Sequence, residues 1–505
     1  MELAKLLGVI GYLAILLGIG VVASRRMKDL KDYFAAGKDL GFFSVAFSAR
    51  ATGESAWLLL GLTGMGAAIG AKAFWVVLGE VLGVAGAWLL LSRRFHRLTT
   101  RYDSITVPDY LESRFGDTSH RIRIVAAFAL TVFVTIYVSA QIDATGKAFE
   151  SFLGWNYFAG IAVGFAVVVA YITTGGFLAV VWSDVFQGTL MFLGLVILPV
   201  VAIGAAGGWG AVTSGLTAIS PDLMSATGGT GWTPVATAEI LGLALIGLGF
   251  LGSPQIFVRF IALRDESEIR KGTAVALIWT LLADSGAVLI GMVGRVALSG
   301  PGGDMGAFGG AEAVLPALVE YTFPAVLVGL YIAIVLSAIM STVDSLLVVA
   351  GSAAVRDWYQ KVRHPELSDQ DLLGLSRKAT FGLAVMGLAV ALGVALSTPD
   401  RTIFWFVIFG WSGIAATFCP VIILSLYWPR MTGRGALAAM ITGFLGVPLF
   451  KFLAPKLPVV GEIFGAMGEL PPAFGLAFLV AVLVSLADVD GVPEAAAQEL
   501  EEARA

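Results

Sequence analysis

Over nine residues, Ser337-Ala338-Ile339-Met340-Ser341-Thr342-Val343-Asp344-Ser345, the chain sets four hydroxyls and one carboxylate inside an otherwise apolar run. These groups offer only oxygen, the donor that a hard cation such as sodium prefers, above all where unwound backbone carbonyls lie opposite. On a helix Ser341 and Ser345 share a face, and Asp344 lies one turn from Ser341. A lone Ser or Thr in such a helix bonds back to the carbonyls of its own preceding turn. Four hydroxyls beside an aspartate read instead as an ion site.

Such a site needs unwound backbone facing it, and two runs supply it. Ser48-Ala49-Arg50-Ala51-Thr52-Gly53-Glu54-Ser55-Ala56-Trp57 interrupts one apolar span, and Gly247-Leu248-Gly249-Phe250-Leu251-Gly252-Ser253-Pro254-Gln255 interrupts another. Both are expected to break near membrane depth. Charged groups within spans also need an account, because burying an ion costs several kcal/mol unless it is paired or functional. They are Arg50, Glu54, Glu80, Asp143, Asp184, Asp284 and Asp344. Arg50 and Glu54 have the i, i+4 spacing of a helical ion pair, which unwinding between them would threaten. Glu80, Asp143 and Asp284 carry no assignment from the sequence.

The elements that must position these groups follow from composition. Of 505 residues, 58% are hydrophobic and 13% charged, against about 25% charged in soluble domains. The bilayer is therefore the expected solvent. About thirteen apolar stretches reach spanning length: 5–24, 41–70, 73–92, 123–145, 157–173, 184–206, 236–260, 273–298, 323–351, 379–397, 402–427, 435–453 and 471–488. With the N-terminus outside, this threading assigns 24 Lys and Arg to the cytoplasmic side and 7 to the outer side, Arg50 lying within a span. The first run, Leu6 to Ala23, reads as a retained helix rather than a leader, because Arg25, Arg26 and Lys28 follow it. The 62 glycines suit close helix packing in lipid.

The broken spans are the second and the seventh. They lie five spans apart, an odd number, so they cross in opposite directions. Helices 2 to 6 against 7 to 11 then form an inverted repeat whose broken members meet at a midplane site. The expected organisation is 1–40, first helix and cytoplasmic loop; 41–206, first repeat; 207–427, second repeat with an outer loop; 428–488, two accessory helices; and 489–505, an acidic cytoplasmic tail. Loops 207–235 and 299–322 read as surface connections. Cys419 stands alone and His96, His120 and His364 share no ligand spacing, so disulfides and Cys- or His-based metal centres are excluded. No phosphate-binding loop appears, nor any nucleophile and base arrangement, and the net charge of −4 points to no nucleic-acid partner.

The segments ARATGESAWLLLG (49–61), TIYVSA (135–140), GGFLAVVWSD (175–184), GSPQIFVRF (252–260) and SAIMSTVDS (337–345) resemble the sodium/solute symporter family, and within it the sodium/proline symporters. The likeness runs in order from about residue 5 to 488. It implies an all-α membrane protein of about thirteen transmembrane helices, with a five-plus-five inverted-repeat core of the leucine-transporter type working by alternating access. It also implies sodium as a co-transported ion, held by backbone oxygens of Ala51, Glu54 and Ala338 and by the hydroxyls of Ser341 and Thr342. A second cation would use Asp184, Asp344 and Ser345 together with Ser341.

Toward the solute, the resemblance implies Ser55, Ala56 and Trp57 after the first break, Tyr137 on the fourth span and Pro254 on the seventh. Proline carriers have an aspartate where this chain has Gly53, its acid moved on to Glu54, and a Trp and a Tyr at Ile246 and Phe250. Gln141, one turn beyond Tyr137, offers an amide. The expected partners are a small solute, with proline or a related amino acid foremost and a sugar, carboxylate or vitamin as alternatives, and membrane lipid, with no obligate protein partner. The expected location is the plasma (inner) membrane, N-terminus outside and C-terminus cytoplasmic. A proton-coupled carrier titrating Glu54, Asp184 or Asp344, and a solute sensor, are the other readings.

Overall fold

The computed structural model describes residues 2–25, 36–172, 176–300, 302–488, 491–493 and 495–504. Arg26, Lys28 and Gly175 lie outside them. The described residues are helical apart from loops and one isolated parallel bridge, Leu40 to Leu263. In chain order the helices are α1 (Glu2–Ser24), α2 (Phe42–Gly53), α3 (57–69), α4 (74–101), α5 (Val107–Phe115), α6 (Arg121–Leu153), α7 (Tyr157–Ile172), α8 (Gly176–Ala205), α9 (Trp209–Ile219), α10 (Pro234–Ala244), α11 (Pro254–Ala262) and α12 (Ile269–Leu298). They continue with α13 (Val314–Thr322), α14 (Ala325–Ser352), α15 (Asp369–Ser397), α16 (Ile403–Tyr427), α17 (Gly433–Pro448), α18 (Gly461–Met467), α19 (Leu470–Ala487) and α20 (Ala496–Arg504).

Among the described residues 11 helices are long and apolar enough to cross a membrane. That is fewer than the thirteen expected spans, for two local reasons. The second span is divided into α2 and α3, with α3 running on through a turn into α4, and α7 is a short apolar helix. The sixth helix starts at Gly176 rather than 184, so Asp184 lies two turns inside it.

Both expected interruptions are present. Helix α2 stops at Gly53, where Glu54 takes extended backbone angles, and helical structure resumes at Ala56. The seventh span passes from α10 through a 3-10 stretch, Leu245–Leu251, to Gly252 and Ser253 before α11 opens on Pro254. Proline suits a first helical turn because the N–H it lacks would have had no intrahelical partner there.

Helix α2 sits at the centre, packed on α8, α12 and α14, with α16 crossing both α6 and the Leu245–Leu251 stretch. Helix α4 meets that stretch backbone to backbone: a Cβ on Gly79 would collide with Ala244, and one on Gly247 with Gly79. Glycine is required there for close approach. The loop 299–322, read as a surface connection, instead contributes α13, whose Val314, Leu315, Leu318 and Val319 are buried. Its run Val314-Leu315-Pro316-Ala317-Leu318-Val319 is too apolar to stay in water. The acidic tail forms α20, which docks on the basic end of α4: Tyr102 donates to Glu499 at 2.6 Å, Arg97 donates to the Ala503 carbonyl at 3.1 Å, and Arg101 pairs with Glu502.

Candidate ion and solute site

A helix that stops leaves its last carbonyls without partners, and here those carbonyls meet α14. Ser341 donates to the Ala51 carbonyl at 2.9 Å and Thr342 to the Thr52 carbonyl at 3.1 Å. Both hydroxyls also reach the Ala338 carbonyl, each at 3.2 Å. Five oxygens from two helices thus converge in a fully buried spot. The back-bonding expected of an isolated hydroxyl is present, but each hydroxyl bridges to the broken helix as well. Of the expected ligands, Ala51, Ala338, Ser341 and Thr342 are brought together. Thr52 supplies the carbonyl bonded to Thr342, while the side chain of Glu54 pairs with Arg50. That pair survives the break because Glu54 is the capping residue and its N–H still bonds the Arg50 carbonyl at 2.8 Å.

The second half of the break is held differently. The Gln141 side-chain oxygen accepts from the Ala56 N–H at 3.2 Å, and its amide donates to Ser55 Oγ at 3.0 Å. Tyr137 OH reaches the same Ser55 oxygen at 3.5 Å. Trp57 Nε1 donates to the Gly53 carbonyl at 3.0 Å. Ser55, Ala56, Trp57, Tyr137 and Gln141 therefore form one cluster. Phe250, from the other broken span, lies against Gly53 and is tilted against Trp411 with ring centroids 5.0 Å apart, and the Ile246 carbonyl accepts from Trp411 at 3.0 Å. Pro254 does not join the cluster. It lines a cavity of about 10 Å³ with Thr106, Pro108, Phe177, Val258 and Val348.

Asp184 lies beside the ion cluster, accepting from Ser48 at 2.6 Å and from Arg259 at 3.0 Å. Arg259 also donates to Ser345 at 2.6 Å and to Thr52. Its guanidinium therefore stands between Asp184 and Ser345, two members of the second cation set. The Asp344 carboxylate accepts from the Ser345 N–H at 2.6 Å. Arg259 was missed by sequence reasoning because it falls at the end of the seventh span and counts there with cytoplasmic charges. The available signal was an arginine inside the apolar run Ile256-Phe257-Val258-Arg259-Phe260-Ile261.

Residues 33–443 match the Sodium:solute symporter family. The chain belongs to that family. The symporter is 36% identical over 426 residues to the high-affinity proline transporter PutP of Bacillus subtilis, covering 84% of this chain and 87% of that one. It is 33% identical over 483 residues to the osmoregulated proline transporter OpuE of the same organism, covering 94% and 93%. The sodium/proline symporter of Escherichia coli is 33% identical over 456 residues, covering 89% of each. Among solved structures, a Na+-coupled sialic acid symporter in a substrate-bound outward-open state aligns with a TM-score of 0.78 at 19% identity, over 96% of this chain and 97% of that one. MhsT in complex with L-phenylalanine aligns at 0.52 and 16% identity, over 87% and 98%. These two likenesses show the fold. The symporter is thus a multi-pass membrane carrier with a leucine-transporter-type core, not an enzyme, and sodium is its co-transported ion.

On the side of the basic loop 93–123, Arg123 binds Asp109 at 2.8 Å, Asp357 at 2.6 Å and Glu112 at 2.7 Å, and Thr106 donates to Asp357 at 3.0 Å. Burial raises the Asp109 carboxyl, but Arg356 and Arg123 outweigh it and hold the group below its usual range. Burial likewise opposes, and hydrogen bonds from Arg123 and His120 reverse, a shift at Glu112, which is lowered overall. The cavity beneath this network is too small for a solute. At the opposite end a vestibule of about 520 Å³ opens between Leu60, Lys147, Glu150, Glu312 and Arg401.

Proposed function

We propose that the symporter couples inward sodium flux to uptake of proline, with the ion held by the Ala51, Thr52 and Ala338 carbonyls and the Ser341 and Thr342 hydroxyls. The observation that carries this reading is the junction of the α2 end with α14 through those five oxygens. Each hydroxyl oxygen has lone pairs to spare, and sodium seated among these oxygens would tie the broken helix to α14 more firmly than the two hydrogen bonds do.

Ordering that junction also orders the next turn of the chain. Ser55 and Ala56 lead into α3, and a helix start favours a carboxylate. Tyr137, Trp57 and Phe250 offer rings to an apolar cyclic side chain, and Gln141 holds the turn. Sodium thus raises solute affinity in one state of the carrier, and that differential affinity is what couples the fluxes. Each sodium adds about 2.3 kcal/mol per 100 mV of membrane potential. The similarity to three proline carriers supports proline as the solute.

The orientation read from the basic loops puts the N-terminus outside, the C-terminus and the Arg123 network in the cytoplasm, and the carrier in the plasma membrane. Docking of α20 on the basic end of α4 supports one shared side for tail and loop. Uptake of labelled proline into proteoliposomes, with sodium replaced by choline, tests the central reading. Sodium-dependent accumulation is expected. Uptake driven by a pH gradient alone would overturn it. Labelling of single cysteines introduced at residue 300 and in the tail tests the orientation.

A further inference from the structure

One cluster takes no part in the hydroxyl site or the solute cluster. Glu54 at the break, Glu80 on α4 and Asp284 on α12 bring their carboxylate oxygens within 4.8 Å of one another, and all three side chains are buried. Arg50 pairs with Glu54, stands 3.9 Å from Glu80, and lies over the rings of Phe250 at 4.7 Å and Trp279 at 5.5 Å. An independent observation points to a ligand: Asp284, wholly buried and arriving from a third element, has no hydrogen-bond partner at either oxygen, and the same holds for Glu80.

Three carboxylates and one guanidinium leave an excess of two negative charges out of contact with water when all three are ionised, and of one, which a single monovalent ion balances, when one carboxyl keeps its proton. Like charges so close do not persist in a dry interior without a counter-ion. A proton would satisfy two oxygens along one hydrogen bond. Here three carboxylates converge from three elements, and their 4.8 Å spread is about twice the roughly 2.3 to 2.6 Å reach of a hard cation to oxygen. Calcium takes six to eight oxygens, whereas the pairing of one Glu54 oxygen with Arg50 leaves at most five here, with Arg50 and two aromatic rings closing the rest of the shell.

We infer that Glu54, Glu80 and Asp284 form a second sodium site, held at the break by α4 and α12 where the hydroxyl site is held by α14. Glu54 immediately precedes Ser55, so the ion fastens the same unwound turn that presents the solute groups. Two sodium ions then move with each solute. At the Asp184 and Ser345 position the guanidinium of Arg259 already supplies positive charge, so the extra ion goes to the acidic triad instead. This inference rests on the proposed sodium-coupled symport.

The test is equilibrium binding of radiolabelled sodium to the purified, full-length symporter. Two ions per chain are expected, falling to one in E80Q/D284N and separately to one in S341A/T342A. A single ion in the unaltered protein, or two in E80Q/D284N, would overturn the second site. Loss of proton binding in E80Q/D284N with sodium binding unchanged would assign the triad to a proton and also overturn it. If S341A/T342A keeps both ions while E80Q/D284N loses one, the hydroxyl site fails and the triad stands. Should the double variant not fold, D284N alone is expected to weaken one of the two sodium affinities at least tenfold, and unaltered affinities there count against the proposal.

Discussion

The guanidinium of Arg259 lies 3.0 Å from the carboxylate of Asp184, and neither side chain reaches solvent. A buried pair of this kind is costly to split, because removing one partner strands the other charge. Arg259→Ala is expected to destabilise the protein by about 3 to 5 kcal/mol, seen as a lower unfolding temperature in detergent. Arg259→Ala combined with Asp184→Asn should recover part of that loss. Equal destabilisation in the single and double variants would show that the charge on Asp184 is not what Arg259 compensates.

Ser341→Ala and Thr342→Ala each remove one hydroxyl from the five-oxygen junction. The sodium concentration for half-maximal uptake is expected to rise at least about tenfold in either variant, equivalent to about 1.4 kcal/mol of ion binding. Thr342→Ser keeps the oxygen and should stay near the starting value. Flux measurements at graded sodium decide it, and an unchanged sodium dependence in Ser341→Ala and Thr342→Ala would refute the assignment.

Gly53 leaves no room for a side chain, since a Cβ there would stand 2.7 Å from Cε1 of Phe250. Gly53→Ala must therefore push the Phe250 ring away from the break. A raised KM for uptake is expected, with partial recovery in Gly53→Ala/Phe250→Leu. If the Ala variant transports normally, the ring moves freely and does not shape the solute site. The same crowding predicts that Gly53→Asp, which imitates the residue of proline carriers, lowers transport rather than improving it.

The Arg123 network carries a pH signature. Asp109 and Glu112 are held below the ordinary carboxylate range of about 4. Their contribution is therefore fully present above that range and is lost as pH falls through the lowered values. Unfolding temperature should fall as the pH drops below about pH 4. In Arg123→Gln the value at pH 7 should be lower and the acid-side drop smaller. Parallel profiles for the two proteins would show that these carboxylates do not depend on Arg123.

By itself the amino-acid sequence determined what local chemistry decides. Apolar run length demanded spanning helices, glycine with polar residues at 52–55 forced the first break, and the hydroxyls of 337–345 announced an oxygen-rich site. The Arg50 and Glu54 pair was legible because four residues of helix separate its partners. Only the tertiary structure decided which groups meet across long stretches of chain. It chose the Thr52 carbonyl for Thr342, carried Pro254 away from Ser55, pulled Arg259 in from an apparent span end to Asp184, and gathered Glu54, Glu80 and Asp284 from three elements. Hydropathy and periodicity say which face of a helix avoids lipid. They do not say which neighbour that face will find, because this depends on close packing between helices that glycines such as Gly79 and Gly247 permit only in the folded bundle.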